Sequence, residues 1–201
     1  MEQLVKRFET LVIAFFIAAG SYFLFRMAYL PGYISLPVGA ALLLAFRWYI
    51  QTRYGLVIPF LLLLFCWISV GLDWLGNVFG WYRNGLAGWP YDELTHTAIP
   101  LLVTPCIVWL LHEAITRFNY RLPLGLTTVF AVALLFTASG FYEVLELWDD
   151  KYMHPTPGWR IHGAYDTPND LQSDLIGAAL GGVLAYFWLR SPTKTHEASR
   201  S

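Results

Sequence analysis

The residues of this chain that could do chemistry are carboxylates set at helical spacing. Asp92 and His96 stand at i, i+4, Glu143 and Glu146 at i, i+3 with Asp149 three further on, and Asp170 and Asp174 at i, i+4. Residues so spaced are neighbours on one helix face, with Cβ atoms about 5–6 Å apart. Several carboxylates with one or two imidazoles suit a hard divalent cation (Zn, Mn, Fe or Mg) better than Cu(I). Asp92, His96, Glu143, Glu146 and Asp170 are the candidate ligands on this spacing, with Asp73, Asp174 and His162 as additional candidates. Glu143 or Glu146 would serve as the base that takes a proton from metal-activated water. No Ser-His-Asp or Cys-His arrangement competes for nucleophilic catalysis. A plainer reading stands beside this one. Asp92 and Asp170 also suit the first turn of a helix, Asp149 and Asp150 read as solvated interfacial acids, and His154 and His162 as ordinary loop histidines.

The elements that must position these groups are membrane helices. Of 201 residues, 57% are apolar and 13% charged, with nine tryptophans, and mean hydropathy is +0.49. So few charges cannot coat a soluble sphere, which excludes a soluble enzyme. A net charge of −1 without a basic block excludes nucleic acid as a partner. The aromatic content excludes disorder. Cys66 and Cys106 lie in apolar runs with no paired spacing, which indicates neither a disulfide framework nor a thiolate metal site.

A spanning helix needs about 20 mostly apolar residues. Six segments qualify: Phe8–Phe25, Ile34–Phe46, Gly55–Phe79, Glu93–His112, Leu122–Trp148 and Leu171–Leu189. The second reaches spanning length only if it begins near Leu30 or runs on to Ile50, for Pro31, Gly32 and Pro37 crowd its start. The first could be a signal peptide, with Lys6 and Arg7 as its basic end and Ala18-Ala19-Gly20 as a cleavage site. Apolar residues continuing through Phe25 favour a span. The expected architecture is therefore an all-α, six-helix membrane bundle forming a single domain. Residues 149–170 make an extracytoplasmic loop and 191–201 a short solvated tail. Gly177, Gly181 and Gly182 make a small face of the kind that lets helix backbones approach closely.

Charge orients the bundle. The side bearing both termini carries nine Lys and Arg, and the other side four, which puts both termini in the cytoplasm. The acids divide the opposite way, with ten of 14 on the outer side. The positive-inside rule says little about acids. A carboxylate facing lipid costs about 2.5–3.5 kcal/mol, so these faces should turn inward. Turned inward together they repel unless protonated, paired or bridged by a cation. Arg83, Lys151, Arg160 and Arg26 are too few to pair ten acids. Inward-facing acids from several helices are also how bundles build carboxylate metal sites.

Three ordered stretches resemble the YjdF-like bacterial inner-membrane proteins. They are Asp92-Glu93-Leu94-Thr95-His96 opening one helix, Tyr142-Glu143-Val144-Leu145-Glu146 closing another, and Tyr165-Asp166-Thr167-Pro168-Asn169-Asp170-Leu171 leading into a glycine-rich helix. The resemblance covers Asp92 to Gly182. The last stretch, through Asp174 and Gly177, is also similar to the VanZ-like membrane proteins. That pattern has Asn where Asp174 stands and a Gln-Pro-Arg element absent here. The resemblance implies a multi-pass bacterial inner-membrane protein and singles out Asp92, His96, Glu143, Glu146, Asp166 and Asp170 as a set, without naming their chemistry; with the carboxylate argument above, these six are the expected metal ligands.

Three functions follow as expectations. The leading one is a divalent-metal site at the outer face that catalyses hydrolysis or transfer on a membrane lipid or lipid-linked substrate. The second is a non-catalytic accessory subunit that binds other membrane subunits through its aromatic faces. The third is a cation or proton pathway, for which the inner half has too few acids.

Overall fold

The computed structural model describes residues 7–8, 10–11, 31–153, 155 and 160–191. Most of the expected first span, His154 and the tail beyond 191 lie outside the described residues. The described chain is helical and contains no strand. Its elements are α1 (Pro31–Tyr54), α2 (Phe60–Val78), a single turn α3 (Trp81–Asn84), α4 (Tyr91–Arg117), α5 (Leu124–Trp148), a π-helical turn (Asp149–Met153) and α6 (Asp166–Arg190).

Proline marks the starts. Pro59, Pro90 and Pro123 stand immediately before α2, α4 and α5. There the missing N–H costs nothing, because the first helical N–H groups have no intrahelical partner. Of the five long helices among the described residues, α2, α4 and α5 are long and apolar enough to cross a membrane, α5 together with the π turn. Their outward faces are apolar as well. Leu126, Val129, Phe130 and Leu134 on α5, and Leu180, Val183, Leu184 and Phe187 on α6, are all exposed. Such contiguous apolar surface is foreign to a water-soluble monomer and natural to a lipid-facing one.

Inside, α4 is the centre, packed on α2, α5 and most extensively on α6. Towards one end Leu62, Leu63 and Trp67 of α2 bury against Cys106 and Trp109 of α4. Cys66 joins the same cluster, so two cysteines that look unrelated in sequence are neighbours across the α2–α4 contact, both as free thiols. The α4–α6 contact is made by the expected glycines. A Cβ at Gly177 would collide with the carbonyl oxygen of Thr97, and one at Gly181 would lie 2.6 Å from that of Leu101. Pro105, four residues on, removes the helical donor to the Leu101 carbonyl, leaving that oxygen for the approaching α6 backbone. The pairing of 97 with 177 and 101 with 181 makes α4 and α6 parallel, so both begin at the same end of the bundle. The Leu124 start of α5 lies at the other.

Candidate functional site

The site is built at the end where α4 and α6 begin and α2 and α5 finish. Its frame comes from aromatic rings. Gly76 of α2 leaves room for the rings of Tyr82 and Tyr91, either of which a Cβ there would strike. The Tyr91 hydroxyl donates to the Leu72 carbonyl at 2.7 Å, and that of Tyr82 to Asp73 Oδ1 at 3.1 Å. Burial and the Asp73 carboxylate push the Tyr82 phenol well above its ordinary pKa, which keeps it a donor. Asp73 is thus held by Tyr82 at the edge of the site.

One stripe of α6 carries both the chemistry and the packing. Asp170, Asp174, Gly177, Ala178, Gly181, Gly182 and Ala185 are buried together. The glycines bring the backbones close, and the turns above them then set Asp174 beside His96 and Asp170 near Asp92. His96 Nδ1 lies 3.2 Å from Asp174 Oδ2, while Nε2 faces Asp92 Oδ1 at 3.6 Å. Asp92, His96 and Asp170 each offer a ligand atom within 4.8 Å of the others, and Asp92, His162 and Asp166 form a second, more exposed group of the same kind. The Nδ1 contact is the arrangement that metal-binding imidazoles use. One ring nitrogen donates to a carboxylate, which fixes the tautomer and leaves the other as a ligand.

Glu143 and Glu146 fall outside both groups. Glu143 is 5% exposed, and neither carboxylate oxygen has a partner within hydrogen-bond geometry among the described residues. The Thr167 side chain is its nearest polar neighbour, and it lies within electrostatic reach of His96, Asp174 and Asp166. Glu146 is further out, half-buried, with Arg160 Nη1 at 4.0 Å.

Arg160 is the residue that the sequence did not single out. Asp150 of the π turn accepts the backbone N–H groups of Arg160 at 2.7 Å and Ile161 at 3.0 Å. Asp149 accepts Arg160 Nε at 3.1 Å. Asp149 and Asp150 are therefore not merely solvated acids; they fasten the loop. Partial burial works against the guanidinium, but Tyr142, Asp149 and Glu146 outweigh it and hold its pKa above the usual value. The available signal was a lone arginine in an acid-rich loop. Asp166 accepts the backbone N–H of His162 at 2.8 Å, tying the loop to the start of α6.

A cavity of about 550 Å³ opens over this cluster. Asp92, Glu93, Asp166, Asp170 and His162 line it, together with Tyr82, Arg83, Asn84 and Trp89 of α3 and the following turn. That turn is tight. Gly85 has φ +71°, and a Cβ there would lie 2.7 Å from the Trp89 carbonyl oxygen.

An apolar helical bundle with a buried polar cluster at one end defines a membrane protein. More particularly, residues 8–194 match the family described as "Predicted membrane protein (DUF2238)", and the chain belongs to that family. The match is consistent with the YjdF-like resemblance of its motifs. No curated protein and no solved structure shows significant similarity to the chain.

Proposed function

We propose that this chain is a divalent-cation-dependent enzyme of the bacterial inner membrane that hydrolyses or transfers a group on a membrane lipid or lipid-linked substrate. In this reading it is a single six-span domain with spans near 8–25, 30–50, 55–79, 93–112, 122–148 and 171–189. Both termini are cytoplasmic, the 149–170 loop and the acidic end are extracytoplasmic, and the 191–201 tail is cytoplasmic. Asp92, His96 Nε2 and Asp170 hold the cation, and Asp174 positions His96. Asp166 and His162 complete the shell on the open side, and Asp73 and Glu146 stand at its edges. Bound cation supplies Lewis acidity to an ester oxygen and lowers the pKa of water.

The observation that carries the reading is Glu143. A buried carboxylate without a partner in hydrogen-bond geometry is costly, and this one lies within electrostatic reach of His96, Asp174 and Asp166. Such a group is suited to accept the proton of the attacking water. The other assigned base, Glu146, is engaged by Arg160 and is the weaker choice. A cation or proton pathway is disfavoured, because among the described residues the buried carboxylates gather at one end of the bundle.

The test is turnover in proteoliposomes made from a bacterial lipid extract, followed by mass spectrometry with Mn²⁺ and with EDTA. Mn²⁺-dependent consumption of one lipid class, abolished by Glu143→Gln without loss of bound Mn²⁺, is the expected result. Bound Mn²⁺ with no lipid or lipid-linked species consumed would replace the enzyme by the accessory subunit of a larger membrane assembly.

A further inference from the structure

We infer that the groove between α5 and α6, at the end of the bundle away from the cation site, holds an acyl chain of an anionic phospholipid whose headgroup phosphate is bound by Arg190. The inference is independent of the cation reading. Leu124 and Leu189 pack on one buried cluster, so α5 starts where α6 finishes. The two helices meet at Gly182, where a Cβ would lie 2.8 Å from Val132 Cγ2 and 3.1 Å from Thr128 Cγ2. Beside that contact they leave a groove of about 340 Å³, which reaches from Val132 and Ala179 to Gly125 and Phe187.

The shape and lining of the groove select a hydrocarbon chain. Val129, Val183 and Phe187 line it and are exposed, so it opens to the lipid side. The Thr128 hydroxyl, which also lines it, donates to the Leu124 carbonyl at 2.9 Å and asks nothing of an occupant. Residues 179–187 advance about 12 Å along α6. Spread over that length, the volume gives a cross-section of about 28 Å². One extended chain fits it, whereas a helix is about 10–12 Å across.

The end of the groove selects the headgroup. Arg190 closes α6 one turn beyond Tyr186, which lines the groove. Its Nη1 donates to the Tyr186 hydroxyl at 3.3 Å, and its Cζ stands 5.9 Å from the centre of that ring, which holds the guanidinium beside the groove. Arg190 is exposed and makes no ion pair among the described residues. Most of its five N–H donors are therefore left for a phosphate, which guanidinium binds with two parallel hydrogen bonds. Arg121, four residues before Gly125, is exposed as well, so each helix brings an arginine to this end. Among the described residues the acid of this end is Glu113, against Arg53, Arg117, Arg121 and Arg190. Such a surplus of cations is complementary to an anionic headgroup.

The test uses the full chain in phosphatidylcholine nanodiscs with a trace of a lipid that carries a diazirine on one acyl chain, either phosphatidylglycerol or phosphatidylcholine. After illumination, mass spectrometry locates the label. Label from phosphatidylglycerol should concentrate in 125–132 and 179–187 and exceed that from phosphatidylcholine about tenfold, the worth of one charge-assisted contact. Gly125→Leu fills the groove, since a Cβ there meets nothing within 4 Å. It should remove most of the label without lowering the melting temperature, because leucine is the better helix former. Arg190→Gln should keep the label in the groove and make the two lipids equal. Equal labelling of the parent by both lipids would overturn the anionic headgroup. Label spread evenly over the outer faces, Leu134 and Leu180 included, and unchanged by Gly125→Leu would mean annular lipid only and overturn the inference. A groove that takes no label in discs that hold the chain as a dimer would assign it to a second copy and overturn the inference likewise.

Discussion

The two ends of the bundle bury polar groups in opposite ways. At the end where α1 and α4 finish, charge is met by backbone. Arg117 donates from Nη1 to the Tyr54 carbonyl at 2.6 Å, closing the C-terminus of α1, and the neighbouring interior is built from Leu62, Leu63, Trp67 and Trp109. At the end where α4 and α6 begin, Glu143, Asp170 and Asp174 are buried, and the one arginine in contact, Arg160, reaches Asp149 and Glu146 rather than these three. Asp174 meets His96, and Asp170 belongs with Asp92 and His96 to a group that could hold a metal ion. The first end is held by contacts of folding, and the second gathers groups that could take a ligand.

The sharpest way to break this difference is to disturb the helix crossing that creates it. Gly177→Ala drives a methyl group into the Thr97 backbone, which cannot yield as a side chain would. It should lower stability by about 1–3 kcal/mol and weaken cation binding as well, because Asp174 and His96 depend on that approach. Thermal unfolding with and without Mn²⁺ reads both effects, and a variant that melts and binds like the parent would refute the role of the crossing. Asp174→Asn should leave the helices packed yet reduce cation affinity about 10–100-fold, as loss of a carboxylate behind a ligating imidazole does. The 15N chemical shifts of the His96 ring check the cause. They should report a changed balance of tautomers, which a purely structural role would not produce.

Glu143→Gln should separate the terms further. The cation-free variant should melt no lower than the parent, because a buried negative charge is gone. It should also gain less than the parent on adding Mn²⁺. Lower melting in both conditions would make Glu143 a structural residue. At the other end, Arg117→Ala should cost about 1 kcal/mol through loss of an exposed charged hydrogen bond and leave Mn²⁺ affinity unchanged.

Much of this was legible in the sequence, because helical spacing decides which residues share a face. The helical membrane class, the glycine stripe and the gathering of acids at one end could all be read from it. What spacing cannot give is which face meets which. That Asp174 stands behind His96 depends on the approach of α6 to the Thr97 and Leu101 carbonyls, a property of two helices together. For the same reason Cys66 and Cys106 looked unrelated. Of the six expected ligands, Asp92, His96, Asp166 and Asp170 fall in two compact groups that share Asp92, while Glu143 and Glu146 lie outside both, a grouping that spacing within single helices does not show. The return of Arg160 to Asp149, and of the Arg160 and Ile161 backbone to Asp150, follows from a π turn that no periodicity announces.

Metal content tests the central claim most directly. The full chain is purified in mild detergent without chelator beside Asp92→Asn/Asp170→Asn, each dialysed against Mn²⁺ or Zn²⁺ and then against metal-free buffer. Elemental analysis should find one divalent cation retained per parent chain and none in the double variant, with a cation-dependent rise in melting temperature in the parent alone. A parent that retains no cation, or a double variant that retains as much, would contradict the assignment of Asp92, His96 and Asp170 as a metal site.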